Sequence, residues 1–368
     1  MLFFLREYVN VNAMKSQKSR PTIKDIANIA GVSIGTVDRA LHNRQGIGIH
    51  TKSKILTIAR EIGYQKNKAA SGLSRKKPLV FAAVFPEKLH YFYDDVRRGF
   101  KEEVENLKDF KLVSSIHSVC SLGHGEERVL QKLLREDIDG LVLVPGHKSK
   151  LNHLIDQFAE RGVPVVTVST DAPRGKRLTS VCVDPRKNGE LAGELLANFV
   201  SGSKVAIMVG SLEIEDHFQK VVGFREAFSS LCPEGDVVAV LENQESEILA
   251  AENTKQLLAM YPDLSGIYVA TANSVAVCRV LVEKGVSQKV KVVTTDLFDE
   301  IVSYLQKGVI RATLFQNPYR QGRKAVELLF RFLVEKYRPK SHYYLEPIVV
   351  MRSNLSFYYS SEMGGFKE

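Results

Sequence analysis

The pentapeptide Gly31-Val32-Ser33-Ile34-Gly35 fits G-x-S-x-G, the spacing that exposes a nucleophilic serine on a strained strand-to-helix turn. That chemistry needs a buried strand in front of the serine. Here residues 22–30, TIKDIANIA, repeat their apolar positions at helical spacing, so Ser33 has no sheet from which to project. Other reactive patterns are missing: there is no GxxxxGK[ST], no HExxH and no GxGxxG after a strand. Nine histidines are scattered, and no Asp/Glu spacing singles out an acid–base couple. Cys120, Cys182, Cys232 and Cys278 show no CxxC spacing; Cys120 and Cys182 fall in apolar strand-like runs and read as small core residues of a reducing compartment. The expectation is a chain that is not an enzyme, with no metal, disulfide or cofactor.

The elements that position Ser33 have a different use. Ile23, Ile26, Ala27 and Ala30 share one helical face, with Thr22 and Asp25 as a capping box. Gly31 suits the left-handed turn that follows, and Ser33 can cap a second helix, IGTVDRAL, which buries Val37, Ala40 and Leu41. A third helix with Ile55, Ile58, Ala59 and Ile62 on one face can cover both. Two short helices joined by a three-residue turn make a helix-turn-helix, whose second helix enters the major groove.

Charge supports that use. Of the net +9, residues 15–78 hold 14 Lys/Arg against 3 Asp/Glu, while residues 79–368 hold 36 against 38. A basic module joined to a nearly neutral body suits binding to a polyanion. No apolar run approaches the ~20 residues of a membrane span. The opening residues MLFFLREYVNVNAM are interrupted by Arg6 and Glu7, so no secretory signal is expected and the location is read as cytoplasmic. Residues 1–19 read as a disordered leader, with Met14 as an alternative start.

TIKDIANIAGVSIGTVDRALHNR, followed by GYQKNKAASGL, resembles the headpiece and hinge of the LacI (lactose repressor) family of transcriptional regulators. The resemblance runs over nearly the whole chain from Thr22. It implies that Thr22, Ser33, Ile34, Gly35, Thr36, Arg39 and Asn43 lie against DNA, with Ile34 and Gly35 opening the recognition helix. Gly35 offers no side chain and Ile34 only apolar contact, so direct readout is expected to be sparse, with more weight on DNA shape and on Arg39. It further implies a hinge of residues 66–77 with Asn67, Ala70 and Leu73, the leucine wedging into the minor groove and kinking the duplex. Three positions depart from the pattern: Asp38 for the usual serine, Gly48 for a capping serine, and Lys66 for the proline before Asn67.

From Leu79 the pattern changes to short apolar runs, 79–85, 140–145, 163–168, 204–209, 266–270 and 291–295, alternating with helical segments. Such alternation predicts parallel sheets covered by helices, with ligands beyond the carboxyl ends of the strands. The order resembles the type 1 periplasmic sugar-binding proteins. The expected fold is an all-α helix-turn-helix headpiece (20–65) plus an α/β bilobed periplasmic-binding-protein-like domain (78–360). Lobe 1 is placed at about 78–182 and 316–340, and lobe 2 at about 183–315 and 341–360.

By the same resemblance the interlobe cleft takes His90, Tyr91, Phe92, Ser169, Asp171, His217, Lys220, Asn273, Asp296 and Gln316 as ligand contacts. PEKLHYFYDD supplies aromatic faces, including Tyr93, for sugar C–H surfaces. Asp171 stands two residues beyond the family's usual aspartate, and Lys220 replaces an arginine that grips two hydroxyls through its planar fork. The expected partners are a roughly palindromic double-stranded DNA operator, a second copy of the chain, and a sugar, sugar alcohol or phosphosugar effector, with no membrane. Lys220 keeps an anionic ligand group open. A transport-associated solute-binding protein, or a DNA-binding protein without an effector, are the other readings; the basic headpiece stands against the first, and Asn273, Asp296 and Gln316 against the second.

Overall fold

The computed structural model describes residues 21–41, 46–64, 77–200, 204–271, 273–360 and 365–366. It divides into two compact units, with the boundary between Lys76 and Lys77. Asn43, Asn67, Ala70, Leu73 and the leader lie outside the described residues.

Among the described residues the first unit holds three helices, α1 (Ile23–Ala30), α2 (Ile34–Leu41) and α3 (Ile49–Glu61). Its start is fixed locally: the Thr22 backbone N–H donates to Asp25 Oδ2 at 2.7 Å and the Asp25 N–H to Thr22 Oγ1 at 3.4 Å. Gly31 ends α1 at φ 69°, its N–H donating to the Ala27 carbonyl. Ser33 Oγ accepts from the Thr36 N–H at 3.2 Å and so caps α2. Ile26, Ala27, Ala30, Val37, Ala40, Ile55, Ile58 and Ala59 form the core, with Ile23, Leu41, Ile62 and Tyr64 partly buried around it. Gly48 precedes α3 without a side-chain cap.

Among the described residues the second unit holds two six-stranded sheets and a short two-stranded one, Tyr359–Ser360 against Gly365–Phe366. The strands of the two large sheets are β1 (Leu79–Pro86), β2 (Leu112–Val119), β3 (Gly140–Leu143), β4 (Val165–Val168), β5 (Thr179–Val183), β6 (Lys204–Val209), β7 (Asp236–Glu242), β8 (Gly266–Val269), β9 (Lys291–Thr295), β10 (Ile310–Phe315), β11 (His342–Leu345) and β12 (Ile348–Val350). The first sheet runs β11-β5-β4-β3-β1-β2, all parallel. The second runs β12-β10-β9-β8-β6-β7, parallel except for β12, which pairs antiparallel with β10. That exception has a simple cause: only Glu346 and Pro347 separate β11 from β12, so the chain enters the second sheet without a crossover helix.

The chain therefore passes between the sheets three times, after β5, after β10 and after β11. The third passage falls between Leu345 and Ile348, not near 341, because β11 pairs with β5 and belongs to the first lobe. Cys182 is buried in β5, but Cys120 is exposed just past the end of β2 rather than packed in a core.

Helices cover both sheets, and two helix pairs set the geometry of the cleft. In the first lobe α4 (His90–Asn106) packs on a long helix, α12 (Pro318–Glu335). A Cβ at Gly99 would fall 2.0 Å from the Tyr319 carbonyl, and one at Gly322 would fall 2.1 Å from that of Val96. In the second lobe α7 (Pro185–Phe199) meets α8 (Glu215–Leu231) in the same way, Gly189 against the backbone of Lys220 and Gly223 against that of Arg186. Backbone contact at this distance admits only glycine.

Candidate ligand cleft and nucleic-acid interface

The cleft lies at the carboxyl ends of the strands, where open parallel sheets present their ligand sites. About 430 Å³ of space lies between its walls, part of it open to solvent. The first lobe lines it with Leu89, Phe92, Tyr93, Leu122, Ser169 and Thr170; the second brings Asp216, His217, Lys220, Thr271 and Asp296, and Gln316 sits at a passage between lobes. Ser169, Asp296 and Gln316 each follow directly on the last residue of a strand, and Ser169 and Asp296 adopt φ of 68° and 72°. Non-glycine residues in that region are uncommon and cluster at sites where the surrounding structure holds them.

Its centre is a buried polar network. Lys220, 1% exposed, donates from Nζ to Asp216 Oδ2 at 2.6 Å and lies 3.4 Å from Gln316 Oε1. Gln316 Nε2 donates to Asp296 Oδ1 at 2.6 Å. Burial pulls the Lys220 pKa down, but the carboxylates of Asp216 and Asp296 and the Tyr268 hydroxyl outweigh it, so the net shift is upward. Burial pushes the Asp296 carboxyl up to about 7, partly opposed by Lys220 and by the hydrogen bond from Gln316. Asp216 Oδ1 is buried with no hydrogen-bond partner. Asp216 also ties the lobes together, its N–H donating to Thr170 Oγ1 at 3.4 Å.

The expected residues divide into groups. Phe92, Ser169, His217, Lys220, Asp296 and Gln316 come together around one cavity. Tyr91 does not line it; its ring stacks on Phe298 of the second lobe, centroids 4.2 Å apart. His90 is exposed at the start of α4. Asp171 is turned away: its carboxylate is held by Arg177 in a buried ion pair and accepts from Thr167 Oγ1 and the Ala172 N–H, both at 2.8 Å. It borders a second cavity with Asp184, Arg186, Gln219 and His342 instead. Asn273 is 3% exposed at the head of α10 (Ser274–Glu283), with its amide nitrogen unpartnered, and is not among the lining residues.

Asp216, Thr170 and Thr271 were not singled out in the sequence. Asp216 had a readable signal, four residues before Lys220 on one helix face. Glu245 had none. It lies in the loop after β7, where Gln244 and Glu245 both take positive φ, 50° and 51°. Its Oε2 accepts from Thr271 Oγ1 at 2.7 Å and its Oε1 lies 3.7 Å from His217 Nε2.

In the first unit, α2 presents Ile34, 49% exposed, and Gly35 at its start, with Arg39 exposed one turn on. A Cβ at Gly35 would sit 3.9 Å from the Arg39 guanidinium, ordinary contact, so the arginine folds back along the helix toward its head. The Thr36 hydroxyl is 2.9 Å from Ser33 Oγ. Asp38 is within electrostatic reach of Tyr64, on the side of its own small core.

The comparisons follow this division. A model of bacterial regulatory proteins of the lacI family matches residues 22–67, and one of the periplasmic binding protein domain matches residues 81–336. Residues 81–336, more than half of the chain, belong to the periplasmic binding protein domain family, and a lacI-family DNA-binding domain precedes them. The HTH-type transcriptional regulator DegA of Bacillus subtilis is 25% identical over 243 residues, 65% of this chain and 70% of the relative. Catabolite control protein A of Staphylococcus epidermidis is 26% identical over 250 residues, 66% and 71% of the two chains. Among solved structures GanP, a glucose-galactose binding protein from Geobacillus stearothermophilus, matches with a TM-score of 0.70 and 28% identity over 76% of this chain and 99% of its own. AraP, an arabinose binding protein of the same organism, shares the fold at a TM-score of 0.65 and 21% identity, over 77% of this chain and all of its own. The chain thus joins a lacI-type helix-turn-helix headpiece to a two-lobed α/β domain. No described helix is long and apolar enough to cross a membrane.

Proposed function

We propose that the regulator acts as a cytoplasmic homodimer on a roughly palindromic operator, and that a sugar-class effector in the interlobe cleft sets its affinity for that operator. The observation that carries this reading is a buried network drawn from both lobes, Thr170–Asp216–Lys220–Gln316–Asp296, in a chain that also carries a capped helix-turn-helix. A ligand touching both lobes favours one lobe arrangement over the other by its difference in affinity for the two, and only by that difference. A single small headpiece binds weakly at physiological salt, so two copies are needed for useful specificity.

In this reading Ile34, Gly35, Thr36 and Arg39 face the operator with Thr22 and Ser33 beside them, and the hinge residues Asn67, Ala70 and Leu73 enter the minor groove. Phe92 and Tyr93 cover the apolar face of the ligand while Asp296, Gln316 and Lys220 meet its hydroxyls. Footprinting on DNA flanking the protein's own gene tests the regulator. The expected result is a protected palindrome that is lost when residues 1–77 are removed. No protection, or protection unaffected by that removal, refutes it. Leu73→Ala should weaken specific binding more than non-specific binding; equal loss on both refutes the wedge.

A further inference from the structure

Acidic side chains outnumber lysines and arginines in and around the cleft. Glu245, Asp216, Asp296 and Glu126 all act electrostatically on the buried Tyr93. Of these, Asp216 and Asp296 line the cavity, where Lys220 is the sole lysine or arginine among the described lining residues. Two of its N–H groups are already directed at Asp216 and Gln316. A phosphate group needs several charge-assisted donors, and this cavity has few to offer.

Acceptors, in contrast, are left over. Asp216 Oδ1 and Glu245 Oε1 are buried without a hydrogen-bond partner, on side chains that are 10% and 7% exposed. An unsatisfied buried carboxylate oxygen is costly, so its persistence points to a missing donor. Glu245 is also placed with care. Two consecutive residues in the left-handed region direct it, and a Cβ at Gly210 would fall 1.8 Å from its Oε1. His217 Nε2 at 3.7 Å is too far to satisfy that oxygen, and Thr271 occupies the other one.

We propose that the effector is a polyhydroxylated molecule bearing a basic nitrogen, an amino sugar or amino polyol, whose ammonium is received by Asp216 and Glu245 while its hydroxyls meet Asp296, Gln316 and Lys220. This rests on the reading of the cleft as a sugar-class effector site and narrows it. An ammonium brings three donors and one positive charge to a site short of both, whereas a hydroxyl brings one donor and no charge. A phosphosugar adds charge of the wrong sign.

The test is calorimetric titration of the full-length protein with matched pairs at mildly acidic pH, where the amine is protonated. The pairs are glucosamine with glucose, galactosamine with galactose, and glucamine with sorbitol, accompanied by N-acetylglucosamine and glucose 6-phosphate. In at least one pair the amine is expected to bind about tenfold tighter or more than its parent, and acetylation to abolish that gain. Glu245→Gln should shrink the difference within the pair to roughly threefold or less. The acetylated probe needs no variant, so the outcome stands even if Glu245→Gln folds poorly. Parents that bind as well as their amines, or a phosphosugar that binds, overturn the amine assignment and leave the sugar-effector reading intact. Silence from every sugar and amine overturns both.

Discussion

Asp296 shows at the scale of one residue how the cleft holds charge out of water. Its carboxyl, pushed up to about 7 by burial, keeps its proton in the folded protein at pH values where the unfolded chain, near 3.8, has lost it. Between those values the native state binds more protons, so its contribution falls as pH rises from about 4 through about 7 and is level above. The apo protein should therefore lose stability across that window, by at most about 4 kcal/mol from this group. Asp296→Asn keeps an oxygen to accept from Gln316 Nε2 and removes the titration. Melting temperatures from pH 4.5 to about 8 should fall less steeply in the variant; parallel curves would show that Asp296 is not the group concerned. Lys220 adds the complementary lesson. Its charge is tolerated at 1% exposure because Asp216 pairs with it and Gln316 accepts from it, and removing Asp216 would leave a buried charge uncompensated.

At the scale of elements, the cleft depends on how closely α7 and α8 approach. Gly189 lets the backbone of α7 touch that of Lys220, so the position of the ammonium is set by a residue that never meets the ligand. Gly189→Ala should force the helices apart, cost about 1–3 kcal/mol in urea unfolding, and weaken effector binding. Normal binding alongside lost stability would separate packing from site geometry. The headpiece makes the opposite case. Ser33→Ala removes the cap of α2 and should cost the first unit about 1 kcal/mol. Gly35→Ala meets only ordinary contacts, its nearest neighbours at 3.9 Å, so it should leave folding intact and alter which operators are bound. Thermal melts of the headpiece transition and operator selection read the two effects apart. If Gly35→Ala unfolds the first unit, the account of α2 is wrong.

At the scale of the molecule, two units of unequal size share one chain. The first rests on a core of eight buried side chains, while the second fills two sheets and four apolar clusters. Small cores give small stabilities, so two unfolding transitions are expected, the headpiece first. A cleft ligand should raise only the later one, because binding stabilises the unit it binds. Calorimetry with and without ligand measures this. A single transition, or an equal shift in both, would show that the units unfold together.

Local chemistry decided what could be read from the residues alone. Thr22, Asp25, Gly31 and Ser33 satisfy backbone groups within three or four positions of themselves, so the helix-turn-helix was legible before any packing was known. The most apolar strands were legible too, since burial on both faces leaves a continuous hydrophobic run. Edge strands such as β2, with its exposed polar residues, and β12, reached without a helix, lacked that signal. Ser169, Lys220, Asp296 and Gln316 were singled out by the family resemblance, and all four line one cavity. What only the tertiary structure decided is which polar groups meet. Asp171 is spent on Arg177, Tyr91 stacks across the lobes, and Glu245 reaches His217 and Thr271 from a strained loop. Such contacts, six positions apart at Asp171–Arg177 and 26 apart at Glu245–Thr271, depend on how loops fold and where backbones cross, and spacing along the chain carries no record of that.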